Sequence, residues 1–208
     1  LLFPYHHLGC YVDVRTHPGY KKIFEESKKY AIMLNRRHFG PPFHTELVES
    51  GVNEFAEDGW QVKRSYRRFK GMELYSETRR KGGETRVKKL IENDDDLKVF
   101  CSFPVETDPT RITTAMDAFF SRYMREVAEF PMQCGSMMLD LGEPVCSLYH
   151  NSDTGEYAVW SLTQNDMVVE YLDRVMERMR LIYRYCLERD MADTYFLVGS
   201  ELASPPLV

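Results

Sequence analysis

Residues 60–89 read WQVKRSYRRFKGMELYSETRRKGGETRVKK, and the period of this stretch decides the fold. Side chains alternate in character along it, Val, Tyr, Phe and Thr recur, and turn residues separate the pieces. That pattern belongs to antiparallel strands joined by tight turns. It predicts strands near 60–69, 72–80 and 85–91, then an acidic turn at Asn93-Asp94-Asp95-Asp96 and a fourth strand near 97–105. Gly82-Gly83 suits a two-residue hairpin loop. Such a loop places Arg79 opposite Arg86, Glu77 opposite Lys88 and Tyr75 opposite Leu90.

The same stretch carries an unusual charge. It holds eleven Lys or Arg against three Glu, so it contributes +8 to a chain whose formal net charge is −5. On the first strand Trp60, Val62 and Tyr66 share a face interrupted by Arg64 and Arg68, while Lys63, Ser65 and Arg67 lie on the other. Arg79 facing Arg86 is repulsive, and an anion above the pair would relieve it. The cations Lys63, Arg64, Arg67, Arg68, Lys70, Arg79, Arg80, Lys81, Arg86, Lys88 and Lys89 interleave with Tyr66, Phe69 and Tyr75. This mixture neutralises phosphates while rings stack on bases. The expectation is a non-catalytic module that binds RNA or single-stranded nucleic acid through 63–89. Two readings compete with it: recruitment of an acidic protein segment, and a solvated flap whose charges only discourage edge pairing.

Outward from this centre the period changes. Leu8–Val14 reads as a strand. A helix follows Pro18, with Tyr20, Ile23, Phe24, Tyr30, Ala31 and Leu34 at helical spacing, and Gly40-Pro41-Pro42 stops it. Glu46–Glu57 reads as a short amphipathic piece closed by Asp58-Gly59. Thr113–Glu129 is a second helix, stopped by Pro131. Three strands are expected at 132–140, 144–150 and 156–162, then a long C-terminal helix from Gln164 to Arg189 with Val168, Tyr171, Val175, Met179, Ile182 and Cys186 as its stripe. The fold class is therefore α+β, with antiparallel sheet and three or four helices. One domain over 1–208 is expected, rather than halves at 1–106 and 107–208. Because the chain opens on Leu, it reads as a segment of a longer protein.

Reaction motifs are scarce. There is no G-x-G-x-x-G after a strand, no Walker loop, no H-E-x-x-H and no G-x-S-x-G, so no catalytic residue or cofactor is assigned. Asp96-Leu97-Lys98 resembles the acid-x-Lys half of a metal-dependent nuclease core, which makes such a nuclease a further alternative. Its second acid would have to be Glu73, Glu77 or Glu84, none of which follows Pro. His6, His7 and Cys10 are too loose a group to be assigned a metal. The five cysteines are odd in number and include no C-x-x-C pair, which points to a reducing compartment, cytoplasm or nucleus. No apolar run approaches the ~18 residues of a membrane span, and the first residues lack a signal-peptide pattern. The pattern does not set an oligomeric state.

Overall fold

The computed structural model describes residues 17–27, 29–30, 33–38, 40–129 and 135–196. The strand expected at Leu8–Val14, the His6-His7-Cys10 group and the closing SPPLV lie outside them. The chain forms two compact units, each assembled from separate segments. The class is α+β: one four-stranded antiparallel sheet, one three-stranded parallel sheet and, among the described residues, six helices.

One unit takes the described residues up to Pro41, then Asp108–Gly142, then those from Arg180 onward. It opens with α1 (Pro18–Ser27) and β1 (Met33–His38). The single helix expected to run to Leu34 is thus a shorter helix and a strand. Helical spacing of apolar residues persists past Ser27, but the segment pairs with a parallel neighbour instead. α3 (Pro109–Glu129) starts with Pro at its first position, while the Asp108 carboxylate accepts from the Thr110 and Arg111 amides at 2.7 and 3.3 Å. β6 (Gly135–Asp140) lies between β1 and β7 (Thr194–Phe196), all three parallel, with His38, Asp140 and Phe196 level at their carboxyl ends. Ile112, Met116, Phe119 and Tyr123 of α3 pack with Met137, Leu139, Ile182, Tyr185 and Cys186 in the core. Met138 is buried as well, so β6 is covered on both faces, as central strands of parallel sheets are.

The other unit takes Pro42–Thr107 and Glu143–Met179 among the described residues. Its sheet is a meander in sequence order: β2 (Glu49–Glu57), β3 (Trp60–Phe69), β4 (Met72–Lys81) and β5 (Glu84–Lys88). Three two-residue turns of one kind join them, at Asp58-Gly59, Lys70-Gly71 and Gly82-Gly83, all with positive φ at both residues. That geometry matches the twist of a hairpin. The pairs Arg79–Arg86 and Glu77–Lys88 form as expected, whereas β5 ends at Lys88, before Leu90 can pair.

Four further assignments differ from the sequence reading. Glu46–Glu57 reads only as a short amphipathic piece, but Glu49–Glu57 is β2, because its partner strand rather than its own pattern sets its form. The strand expected at 97–105 is α2 (Asp94–Ser102). Its acidic run is a helix N-terminus: the Asn93 side chain accepts from the Asp95 and Asp96 amides at 3.0 and 2.9 Å, and Asp96 accepts from the Glu92 amide at 3.1 Å. The strands expected at 144–150 and 156–162 are α4 (Cys146–Tyr149) and α5 (Thr154–Thr163). Asp153 caps α5 through the Gly155 amide, and the Trp160 indole donates to Asp94 at the head of α2 at 2.8 Å. α6 (Asn165–Glu188) is the long helix the stripe predicted. Its residues to Met179 belong to this unit and the rest to the first.

Candidate functional sites

The basic meander presents two faces, set by the cross-strand register. One carries Trp60, Val62, Arg64, Tyr66 and Arg68 beside Glu73, Tyr75, Glu77 and Arg79, flanked by Glu49, Gly51, Phe55, Arg86 and Lys88. Every ring on it meets a cation. Arg68 lies 4.4 Å from the Tyr66 centroid, Arg64 and Lys88 both 4.5 Å from that of Tyr75, and Arg86 4.6 Å from that of Trp60. Gly51 leaves room for Tyr66, since a Cβ there would come within 2.5 Å of the phenol oxygen.

Carboxylates occupy the same face. Glu77 is 7 % exposed and accepts from both Arg64, at 2.7 Å, and Arg79. Burial works against its charge, but these two guanidinium groups outweigh that and lower its pKa. Arg79 also meets Glu57 at 2.8 Å, Arg68 meets Glu73 and Glu49, Arg86 meets Glu84 at 2.8 Å, and Lys88 meets Glu92 at 3.3 Å. The anion needed over the Arg79–Arg86 pair is thus supplied by the protein itself. Because β2 joins the sheet, residues 49–89 hold eleven Lys or Arg and seven Asp or Glu, a net +4.

The opposite face carries Gln61, Lys63 and Arg80 at one end and Arg67, Phe69, Met72 and Leu74 at the other. Lys63 pairs with Glu54 at 3.0 Å, and a shallow depression of about 340 Å³ lies between Glu54, Gln61, Lys63, Thr78 and Arg80. Lys81 donates to the Asp58 carbonyl at 2.8 Å. Arg80, Lys70 and Lys89 are exposed and have no carboxylate partner among the described residues. Arg67 differs from all the others. It turns inward, its guanidinium 5.7 Å from the Phe100 ring, and Phe69 packs at 6.3 Å from Phe103.

The acid-x-Lys pair falls in the N-terminal half of α2 rather than on a strand. Asp96 caps the helix, and Lys98 pairs with Asp95 at 3.1 Å. Among the described residues no group of three His, Cys, Asp or Glu is placed to hold a metal ion.

A second constellation lies at the carboxyl ends of the parallel strands, and the sequence reading did not single it out. Asp140 ends the central strand and is 4 % exposed. It accepts from Arg36 Nε at 3.1 Å and from a second Arg36 nitrogen, lies 3.6 Å from His38 Nδ1, and takes the Gly142 amide at 3.1 Å. Burial alone would raise its pKa, but His38 and Arg36 bring it down to about 2. Arg36 also lies 4.5 Å from the Phe196 centroid, so side chains of β6 and β7 fix it. The signal was an acid ending an apolar strand just before Leu-Gly. It stayed mute because Arg36 and His38 were read near a helix end.

Comparison with family models, with curated proteins and with solved structures returns no match.

Proposed function

We propose that the protein binds a small anionic molecule at the carboxyl-terminal edge of its parallel sheet. In this reading Arg36 anchors the anion, His38 hydrogen-bonds it, and Asp140 positions both. The carrying observation is a buried carboxylate at the end of the central strand, bonded to a guanidinium and beside an imidazole of the next strand. Ligands of parallel α/β sheets bind beyond the carboxyl ends of the strands. There Asp140 gives rigidity, while Arg36 and the 55 % exposed His38 side chain remain accessible to a ligand. The test is ligand-induced thermal stabilisation by mono-, di- and tricarboxylates. Arg36→Met should abolish any such stabilisation and Arg36→Lys should weaken it. A response unchanged in both variants would sink the reading.

A second reading rests on the meander. The cation-covered rings of Trp60, Tyr66 and Tyr75, together with Lys70, Arg80 and Lys89, which have no carboxylate partner among the described residues, favour RNA or single-stranded nucleic acid, with an acidic protein segment as the rival ligand. Binding of single-stranded RNA, duplex DNA and an acidic peptide across a salt series separates these. Loss of RNA affinity in a folded Tyr75→Ala protein would favour base stacking, since an acidic peptide needs no ring. Either activity is proposed to operate in the cytoplasm or nucleus. Cys101, Cys146 and Cys186 carry free thiols, and among the described residues no helix is long and apolar enough to cross a membrane.

A further inference from the structure

Beneath the meander, in the same compact unit, polar groups gather around one aromatic ring. Arg67 places its guanidinium 5.7 Å from the Phe100 centroid. His44 stands edge-on to Phe100 at 6.4 Å and to Phe103 at 5.8 Å, and Tyr171 is tilted against Phe100 at 5.4 Å. Among the described residues no carboxylate reaches Arg67. This sets it apart from its neighbours Arg64 and Arg68, each of which holds a glutamate.

The hydrogen bonds of the other two are incomplete as well. His44 Nδ1 lies 3.3 Å from the Pro104 carbonyl oxygen. A carbonyl only accepts, so Nδ1 carries the hydrogen and Nε2 presents a lone pair. Among the described residues Nε2 and the Thr45 hydroxyl are buried without a partner, and the buried Tyr171 hydroxyl has only the Ser147 hydroxyl near it. The Ser147 hydroxyl, near Tyr171, spends its own proton on the Pro144 carbonyl at 2.6 Å. Arg178 adds a second positive charge, 5.2 Å from the Phe43 centroid, which the buried Glu106 carboxylate partly offsets. Burial, with Arg67 next in effect, lowers the His44 pKa to about 4, so at neutral pH its Nε2 stays an acceptor. Buried polar groups left open in this way mark places where water or an ion completes the structure.

We propose that Arg67, His44 and Tyr171 frame a site for a small oxyanion that keeps a hydroxyl of its own, hydrogen phosphate being the simplest. Arg67 and the Tyr171 hydroxyl donate to anionic oxygens, and the ligand's O–H donates to His44 Nε2. Arg67 and His44 are half-buried, so part of each side chain meets solvent. The set of two donors and one acceptor selects against sulfate, which has no proton to give at neutral pH.

The experiment is calorimetric titration and thermal denaturation of the whole chain at pH 7. Inorganic phosphate is compared with sulfate and chloride at matched ionic strength. Phosphate should bind saturably and raise Tm, and sulfate should bind at least tenfold more weakly. Tyr171→Phe should fold normally and lose about tenfold in phosphate affinity. Arg67→Met should abolish binding while matching or exceeding the native Tm without phosphate, because it removes a half-buried charge that no described carboxylate neutralises. A merely structural Arg67 would instead lower that Tm. No saturable phosphate effect in the native chain means that ordered water alone fills the site, and it overturns the proposal. Equal responses to phosphate and sulfate overturn it too, as does full phosphate affinity in Tyr171→Phe. Should Arg67→Met fail to fold, the native titration and Tyr171→Phe still decide.

Discussion

Asp140 is a carboxylate that has left water and remains ionised because Arg36 and His38 have come with it. Its folded pKa lies below the ordinary carboxylate value. The stabilisation it confers is therefore complete above about pH 4 and is lost as pH falls toward 2. Asp140→Asn should cost on the order of 2 kcal/mol at pH 7, a penalty that shrinks to little by pH 2. Urea unfolding of both proteins at pH 7 and near pH 2 measures the difference, and a constant gap would rule out the pairing as its source. His44 has the same sign for another reason. Burial, then the facing charges of Arg67 and Arg178, oppose its protonation, while the Pro104 carbonyl favours it and Tyr171 and Glu106 lie beyond. Its contribution is present above pH 6.5 and is lost as pH falls through about 4. Over that window it should remove up to about 3 kcal/mol of stability. His44→Gln should flatten the slope between pH 6.5 and 4, read by thermal melts at half-unit steps.

At the scale of elements, capping explains what periodicity missed. The run Asn93-Asp94-Asp95-Asp96 has the composition of a turn and also of a helix head, and the strand-like residues Val99, Phe100 and Phe103 tipped the reading toward a sheet. What resolves it is the Asn93 side chain bonded to two amides, with three aspartates in the first turn. Asn93→Ala should cost about 1 kcal/mol, with a range of about 0.5–2 kcal/mol, measured by denaturant unfolding. A loss well below that would mean that Trp160, through Asp94, holds the helix head instead. β2 went astray for the opposite reason. ESGVNEFAE alternates only weakly, and seven of its nine residues are exposed, so almost nothing internal to it specifies a strand. Its register on β3 does, through Glu49 opposite Arg68, Glu54 opposite Lys63 and Phe55 opposite Val62. The turns were legible because Asp58-Gly59 and Gly82-Gly83 carry the residue types that positive φ requires.

For the whole molecule, the recruitment of β2 alters the electrostatic character of the chain. Read alone, 60–89 is a +8 segment; with β2 beside it the sheet from 49 to 89 is +4. If the meander serves a polyanion, those β2 carboxylates act as competitors for its cations. Changing Glu49, Glu54 and Glu57 together to Gln should then raise affinity for single-stranded RNA several-fold and steepen the salt dependence. Unchanged weak binding would leave the ion pairs as simple sheet stabilisation. Local chemistry by itself determined the hairpin loops, the β3–β4–β5 pairing, the stripe of α6 and the α+β class. In each of these the signal lies within a few residues, in turn geometry or in the repeat of one element. Tertiary structure alone decided that Glu49–Glu57 is a strand, that Arg67 turns inward while Arg64 and Arg68 are neutralised, and that Arg36, His38 and Asp140 meet. Asp140 stands 104 residues from Arg36. No local pattern carries such a meeting, because it exists only once parallel strands far apart in the chain have come into register.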